Sequence, residues 1–282
     1  MRIALLFCFY RVVRNAYFCP MKFLLPFLFF ITSALLCLSQ IREDKLVIGK
    51  NETFELTGSD IIVVDTLIML DSSKIMLNNE KADNFIHAKV VKIGTGCEII
   101  GNGADGRDGE VGLSGYTAIG PCKDGIPGRS GTAGTSASSG INLYLYFDTV
   151  NIDSSLLIEL SGGDGGDGGR GGSGGGGSPG TRLCQGGDGG SGGNGGVGGD
   201  GGNGGNLTLS CKGCPDLRGW LGNKIKVRSF GGNAGLGGDG GLGGLAGLVS
   251  AGKTLDGEQG VKGKPGASGE SGRNGAINIE QL

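Results

Sequence analysis

Few residues of this 282-residue chain have the types and spacing that chemistry needs. His87 is the only histidine, so a paired-histidine site within one chain is excluded. It sits in a strand-like stretch and reads as structural. Gly-x-Ser-x-Gly occurs around Ser173 and Ser191, but inside glycine runs. A nucleophilic serine needs that motif at a strand-to-helix turn. Residues 247–254, GLVSAGKT, fit a phosphate-loop pattern. A glycine run precedes them and another follows, where a buried strand and a helix are required. GGDGGD at 162–167 and GGVGGD at 195–200 match the first half of a nine-residue calcium repeat. Gly169 and Gly202 stand where that repeat needs an apolar residue. The expectation is a protein that is not an enzyme, with no catalytic residue, no cofactor and no metal.

The cysteines carry more information. Of the eight, Cys8, Cys19 and Cys37 lie in the first forty residues. There Met21 and Lys22 precede FLLPFLFFITSALLCLSQ, the shape of a secretory signal peptide with cleavage after Ser39. The stretch before Met21 is an upstream false start or a long basic lead-in. Residues 1–39 are therefore assigned as a leader. The apolar run is shorter than the ~20 residues a membrane span needs, so no span is expected after cleavage. Export places the chain outside the cell or on its surface, where thiols oxidise. Cys97, Cys122, Cys184, Cys211 and Cys214 remain, and an odd number leaves two bridges and one thiol. The candidate bridge residues are Cys122, Cys184, Cys211 and Cys214. Cys211 and Cys214 can close on each other, or each can staple a different loop. A zinc or redox reading of this Cys-x-x-Cys lacks a second pair and a nearby histidine.

Glycine dominates the composition, with 64 residues, against a usual share of about 7%. Basic and acidic residues number 25 and 27, which points to neither nucleic acid nor anionic membrane. The glycines are periodic. Residues 186–206 are seven successive triplets with glycine at the first two positions. Three residues per turn is the repeat of a polyproline II-type helix, so each third residue falls on one edge. Disorder requires no such register.

Elements must hold these runs. Residues 41–101 read as short strands at 46–48, 53–56, 61–70, 74–77, 85–93 and 98–100, rich in Ile and Val. Six glycine runs then occupy 103–117, 125–136, 162–176, 186–206, 231–248 and 257–274. A long β segment at 141–160 and strands near 206–210, 224–228 and 276–281 lie between and after them. In the 141–160 segment, Leu143, Leu145 and Phe147 alternate with Tyr144 and Tyr146. Third positions of runs three and four are mostly polar and should face water. Those of run five include Leu236, Leu242, Leu245 and Leu248, expected to be buried against the strands. The other reading is an exposed apolar ladder for a partner.

The GGx runs resemble polyglycine II proteins: the glycine-rich adhesins of phage tail-fibre tips and the glycine-rich antifreeze protein of a snow flea. Runs with one glycine per triplet look like collagen-like proteins, although seven prolines are few for a triple helix. The adhesin resemblance implies that loops between runs carry recognition, here 118–124, 181–185, 211–223 and 249–256. The third contains Trp220, the only tryptophan, with Leu217 and Arg218 beside it. A signal peptide departs from a phage fibre and suits a secreted or surface protein. The antifreeze resemblance implies a flat regular face, which the mixed third positions do not offer.

The expected fold is all-β. A short β-solenoid-like segment (41–101) leads into a polyglycine II helix bundle interleaved with strands (102–282). The expected role is a secreted or cell-surface structural or adhesive protein, a monomer that meets an unknown surface ligand or protein through its loops. The alternatives are an ice-binding protein and a flexible collagen-like matrix component or linker.

Overall fold

The apolar stretches alternate with polar residues at a period of two, and a strand built on that pattern buries one side. A computed structural model describes residues 40–214, 216–249 and 255–281; the leader lies outside them. The strands are β1 (Gln40–Ile48), β2 (Thr53–Glu55), β3 (Ile61–Met69), β4 (Lys74–Met76), β5 (Asp83–Ile93), β6 (Cys97–Ile100), β7 (Asn142–Ile152), β8 (Leu156–Glu159), β9 (Leu207–Cys211), β10 (Ile225–Arg228) and β11 (Ile277–Gln281). One short helix, α1, spans Leu217–Trp220. Odd-numbered strands form a six-stranded sheet in the order β1-β3-β5-β7-β9-β11. Even-numbered strands form a five-stranded sheet, β10-β8-β6-β4-β2. Every pairing is parallel. Consecutive strands therefore alternate between sheets.

This corrects the expected plan. The protein is nearly all β, but it is not a short solenoid-like segment followed by a bundle of polyglycine II helices. Its regular elements are two parallel sheets whose strands come from both halves: β5 pairs β7 and β6 pairs β8 across residue 101. Leu143, Leu145, Leu156, Ile158, Leu207 and Leu209 extend the same apolar faces that Ile62, Ile75, Ile86 and Ile99 begin, and all join one buried cluster. Each such side chain contributes roughly 1.5–3 kcal/mol on burial. That gain explains why late strands add to the early sheets. The 141–160 segment is two strands, not one. Asp153, Ser154 and Ser155 turn the chain from one sheet into the other.

The glycine runs contain no helix; among the described residues α1 is the only one. The runs are long connections from even to odd strands, replacing the short ones at 56–60 and 77–82. Runs one, three and five continue from β6, β8 and β10. Runs two, four and six lead into β7, β9 and β11. Their amides bond between runs at every third residue. Gly103, Gly106 and Gly109 donate to the carbonyls of Ser161, Asp164 and Asp167. Gly165 and Gly168 donate to Asn233 and Leu236. In the other layer, Gly128 and Gly131 donate to Ser191 and Asn194, and Gly192 and Gly195 to Val261 and Lys264. Bonds such as Gly193 to Gly172 and Gly238 to Gly196 join the layers. An extended backbone has no internal partners, so neighbouring runs meet its hydrogen-bonding needs.

The glycines stand where a side chain would meet the backbone of a neighbouring run. In run three, a side chain at Gly162 would overlap the Gly202 carbonyl, and one at Gly163 the Ala104 carbonyl. In run one, Gly103 faces the Ser138 carbonyl, while Asp105 and Asp108 are exposed on the far side. Runs one and six, at the corners of the array, each meet two other runs and carry one glycine per triplet, as does run two. Runs three and four, each bonded to four others, carry two, and run five carries two except where Ala234 and Ala246 stand at the first position.

Candidate functional site

The residues left to face outward are the third positions. In each layer they line up across runs, and their polar members have a definite task. Asp105 Oδ1 accepts the Asp164 N–H at 2.8 Å, and Asp167 Oδ1 accepts the Leu236 N–H at 2.7 Å. On the opposite face, Asp124 accepts from Asp188, Asp188 from Glu258, Asn194 from Lys264 and Asp200 from Glu270. Ser130, Ser136 and Ser139 serve Asn194, Asp200 and Asn203 in the same way. Short Asp, Asn and Ser side chains reach the amide of the adjacent run. The aspartates of the calcium-like stretches, Asp167 and Asp200, belong to this ladder. No group of three metal-ligating side chains occurs among the described residues.

The leucines of run five are not buried. Leu236, Leu242, Leu245 and Leu248 are 65%, 55%, 73% and 67% exposed. The expected burial is overturned because the inner faces of this run are already filled by the backbones of runs three, four and six. The third position has nowhere to go but out. Leu242, Leu245 and Leu248 form an apolar row leading to the end of the array. The end of run three and the residues just after it lie beside this row, with Gly174, Gly177 and Gly180 donating to the carbonyls of Leu242, Leu245 and Leu248.

The far ends of the runs are also apolar. Ile119, in the first end loop, and Leu183, in the second, are almost fully exposed, and Leu113 and Tyr116 are exposed close by. A disulfide between Cys122 and Cys184 ties these two loops together. The backbone bond from Cys122 N to the Pro179 carbonyl adds to the tie. Gln185 Nε2 reaches the Asp256 carbonyl in the third loop. The phosphate-loop match at 247–254 falls largely on 250–254, outside the described residues.

The tryptophan loop lies at the opposite end, between β9 and β10. Cys211 and Cys214 bridge to each other within it, and Cys97 remains a buried free thiol. Asp216 caps α1 by accepting the Gly219 N–H at 3.1 Å. Leu217 is fully buried, and Trp220 is half-buried against the core with Lys224 Nζ 5.5 Å from its ring. Arg218 alone of this trio faces solvent. The loop caps the open end of the two sheets, and the structure does not bring it near the apolar ends of the glycine runs.

No family model, curated protein or solved structure matches this chain.

Proposed function

We propose that this chain is a secreted or cell-surface structural and adhesive protein. The two glycine layers are its scaffold, and the apolar row with the adjoining loops is its contact surface. The observation that carries this reading is the exposure of Leu242, Leu245 and Leu248 on a face whose backbone neighbours leave no room for rearrangement. Contiguous exposed apolar surface on a soluble protein marks a place of contact. Two disulfides and the leader-like first 39 residues suit an extracellular site.

The test is twofold. Expression of the full chain with its own leader in a secretory host should yield protein in the medium or on the cell surface, beginning at Gln40. Beads coated with that protein should adhere to cells of the source organism, and the L242D/L245D variant should adhere at least tenfold less. Protein retained inside the cell, or adhesion equal in the two forms, defeats the reading.

A further inference from the structure

Parallel strands of the six-stranded sheet turn alternate residues outward. Across β3, β5, β7 and β9 this builds an aromatic surface far from the leucine row. Ile61, Phe85, Tyr144 and Thr208 share one register row, and Val63, His87, Tyr146 and Ser210 the next. The rings of Phe85 and Tyr144 stack at 4.6 Å with 12° between planes. Those of His87 and Tyr146 meet edge to face at 6.5 Å. A cleft of about 460 Å³ lies here, lined by Phe85, His87, Tyr146, Asp148, Ser210 and Lys212 among others. Four strands span about 14 Å, at 4.7–4.9 Å per spacing.

Polar groups meet the aromatic wall. Asp148 and Lys212 pair at 3.0 Å, both partly open to solvent. Asp65 and Lys89 pair at 2.7 Å in the same band. Ser210 lines the cleft, and its hydroxyl opens to it, since no buried side-chain polar atom among the described residues lacks a partner. The phenolic hydroxyls of Tyr144 and Tyr146 lack a hydrogen-bond partner among the described residues. Hydroxyls that bond only to water at an open cleft can exchange that water for the hydroxyls of a ligand.

We propose that this cleft binds a carbohydrate, a sugar ring stacked on the aromatic wall with its hydroxyls on Ser210, Asp148 and Lys212. A pyranose has an apolar C–H face and an equatorial belt of hydroxyls, each both donor and acceptor. Aromatic faces suit the first, and a carboxylate beside an ammonium suits the second. A purely apolar occupant would make no use of the Asp148–Lys212 pair or the Ser210 hydroxyl. A strongly charged one would meet both signs. The inference does not rest on the adhesive reading, since the cleft lies on the sheet and not on the glycine layers.

The experiment is a printed array of neutral hexose- and hexosamine-containing oligosaccharides probed with the full secreted chain, followed by titration of the best binder. Saturable binding is expected, with Tyr146→Ala losing at least tenfold in affinity and Asp148→Asn and Ser210→Ala losing less. The L242D/L245D variant should bind the sugar as wild type does, which separates this site from the leucine row. If Tyr146→Ala fails to fold, Ser210→Ala and Asp148→Asn still decide the matter. Absence of binding to every array member overturns the proposal. So does equal binding by these variants, or a wild-type dimer that Tyr146→Ala converts to monomer, which would make a second copy the occupant.

Discussion

Asn233 donates its backbone N–H to Asp164 Oδ1 at 2.6 Å, from one glycine run to the next. The same bond recurs row after row on both faces of the array, from an amide to a short polar side chain of an earlier run, and at the edges from runs one and five to a later one. The abundance of Asp, Asn and Ser between glycines thus has a backbone cause. Replacing Asp167 by Ala removes the acceptor of the Leu236 amide and should lower stability by about 1 kcal/mol, the net worth of one such bond. Asp167→Asn keeps the acceptor and should cost less. Urea unfolding midpoints decide between them; equal loss in both would assign the effect to charge.

The interior of the array admits no Cβ. A methyl at Gly193 would overlap the Arg129 carbonyl. Gly193→Ala should therefore cost more than about 4 kcal/mol, in the range reserved for severe disruption. Ser191→Ala, two residues away on the outer edge, should stay within about 0.5 kcal/mol of wild type. Comparable unfolding curves for the two variants would show that the runs are not close-packed.

The two disulfides should respond differently to reductant. Cys184 is exposed and Cys122 half-exposed, whereas Cys211 and Cys214 are buried. Mild reduction followed by alkylation should label two cysteines first, Cys122 and Cys184. Cys97, Cys211 and Cys214 should follow only on unfolding. The Cys122–Cys184 bridge closes a separation of 62 residues and the other a separation of 3. By loop-closure entropy they are worth about 4 and about 2 kcal/mol. Mass spectrometry of the labelled protein reads the order directly.

Within the cap, Leu217 and Arg218 are neighbours with opposite roles. Leu217→Ala should cost roughly 2–5 kcal/mol, as truncation of a buried leucine does. Arg218→Ala should leave stability unchanged and affects binding only if this loop contacts a partner. Trp220 fluorescence, the sole indole signal, should follow unfolding of the sheets.

Lys89 holds its proton more tightly than an ordinary lysine, chiefly because its ammonium hydrogen-bonds the Asp65 carboxylate, with their mutual attraction second. A base whose folded value is raised adds stability below its unfolded value and loses it as pH rises through the folded one. The contribution of the raised Lys89 value is therefore present at neutral pH and is lost in alkali. Titration of the Lys89 ammonium by NMR should end at lower pH in Asp65→Asn. An unchanged titration would remove Asp65 as the cause.

Much of the local structure could be read from residue order. The strands announce themselves by alternating Ile, Val and Leu, and the even–odd pattern of residues 143–147 already separates a buried face from the tyrosine face. The period of three announces extended runs with their third residues on one edge. Residue order also isolates five cysteines beyond the leader-like first 39 residues. It does not reveal their pairing, because Cys122 and Cys184 meet only when runs two and four lie side by side. Nor does it reveal that late strands join early ones in two parallel sheets, since strand pairing is a contact between residues far apart in sequence. The leucines of run five show the limit most clearly. Their spacing puts them on one edge, but which edges are filled depends on runs three, four and six. Burial is a property of neighbours, and only the tertiary structure supplies them.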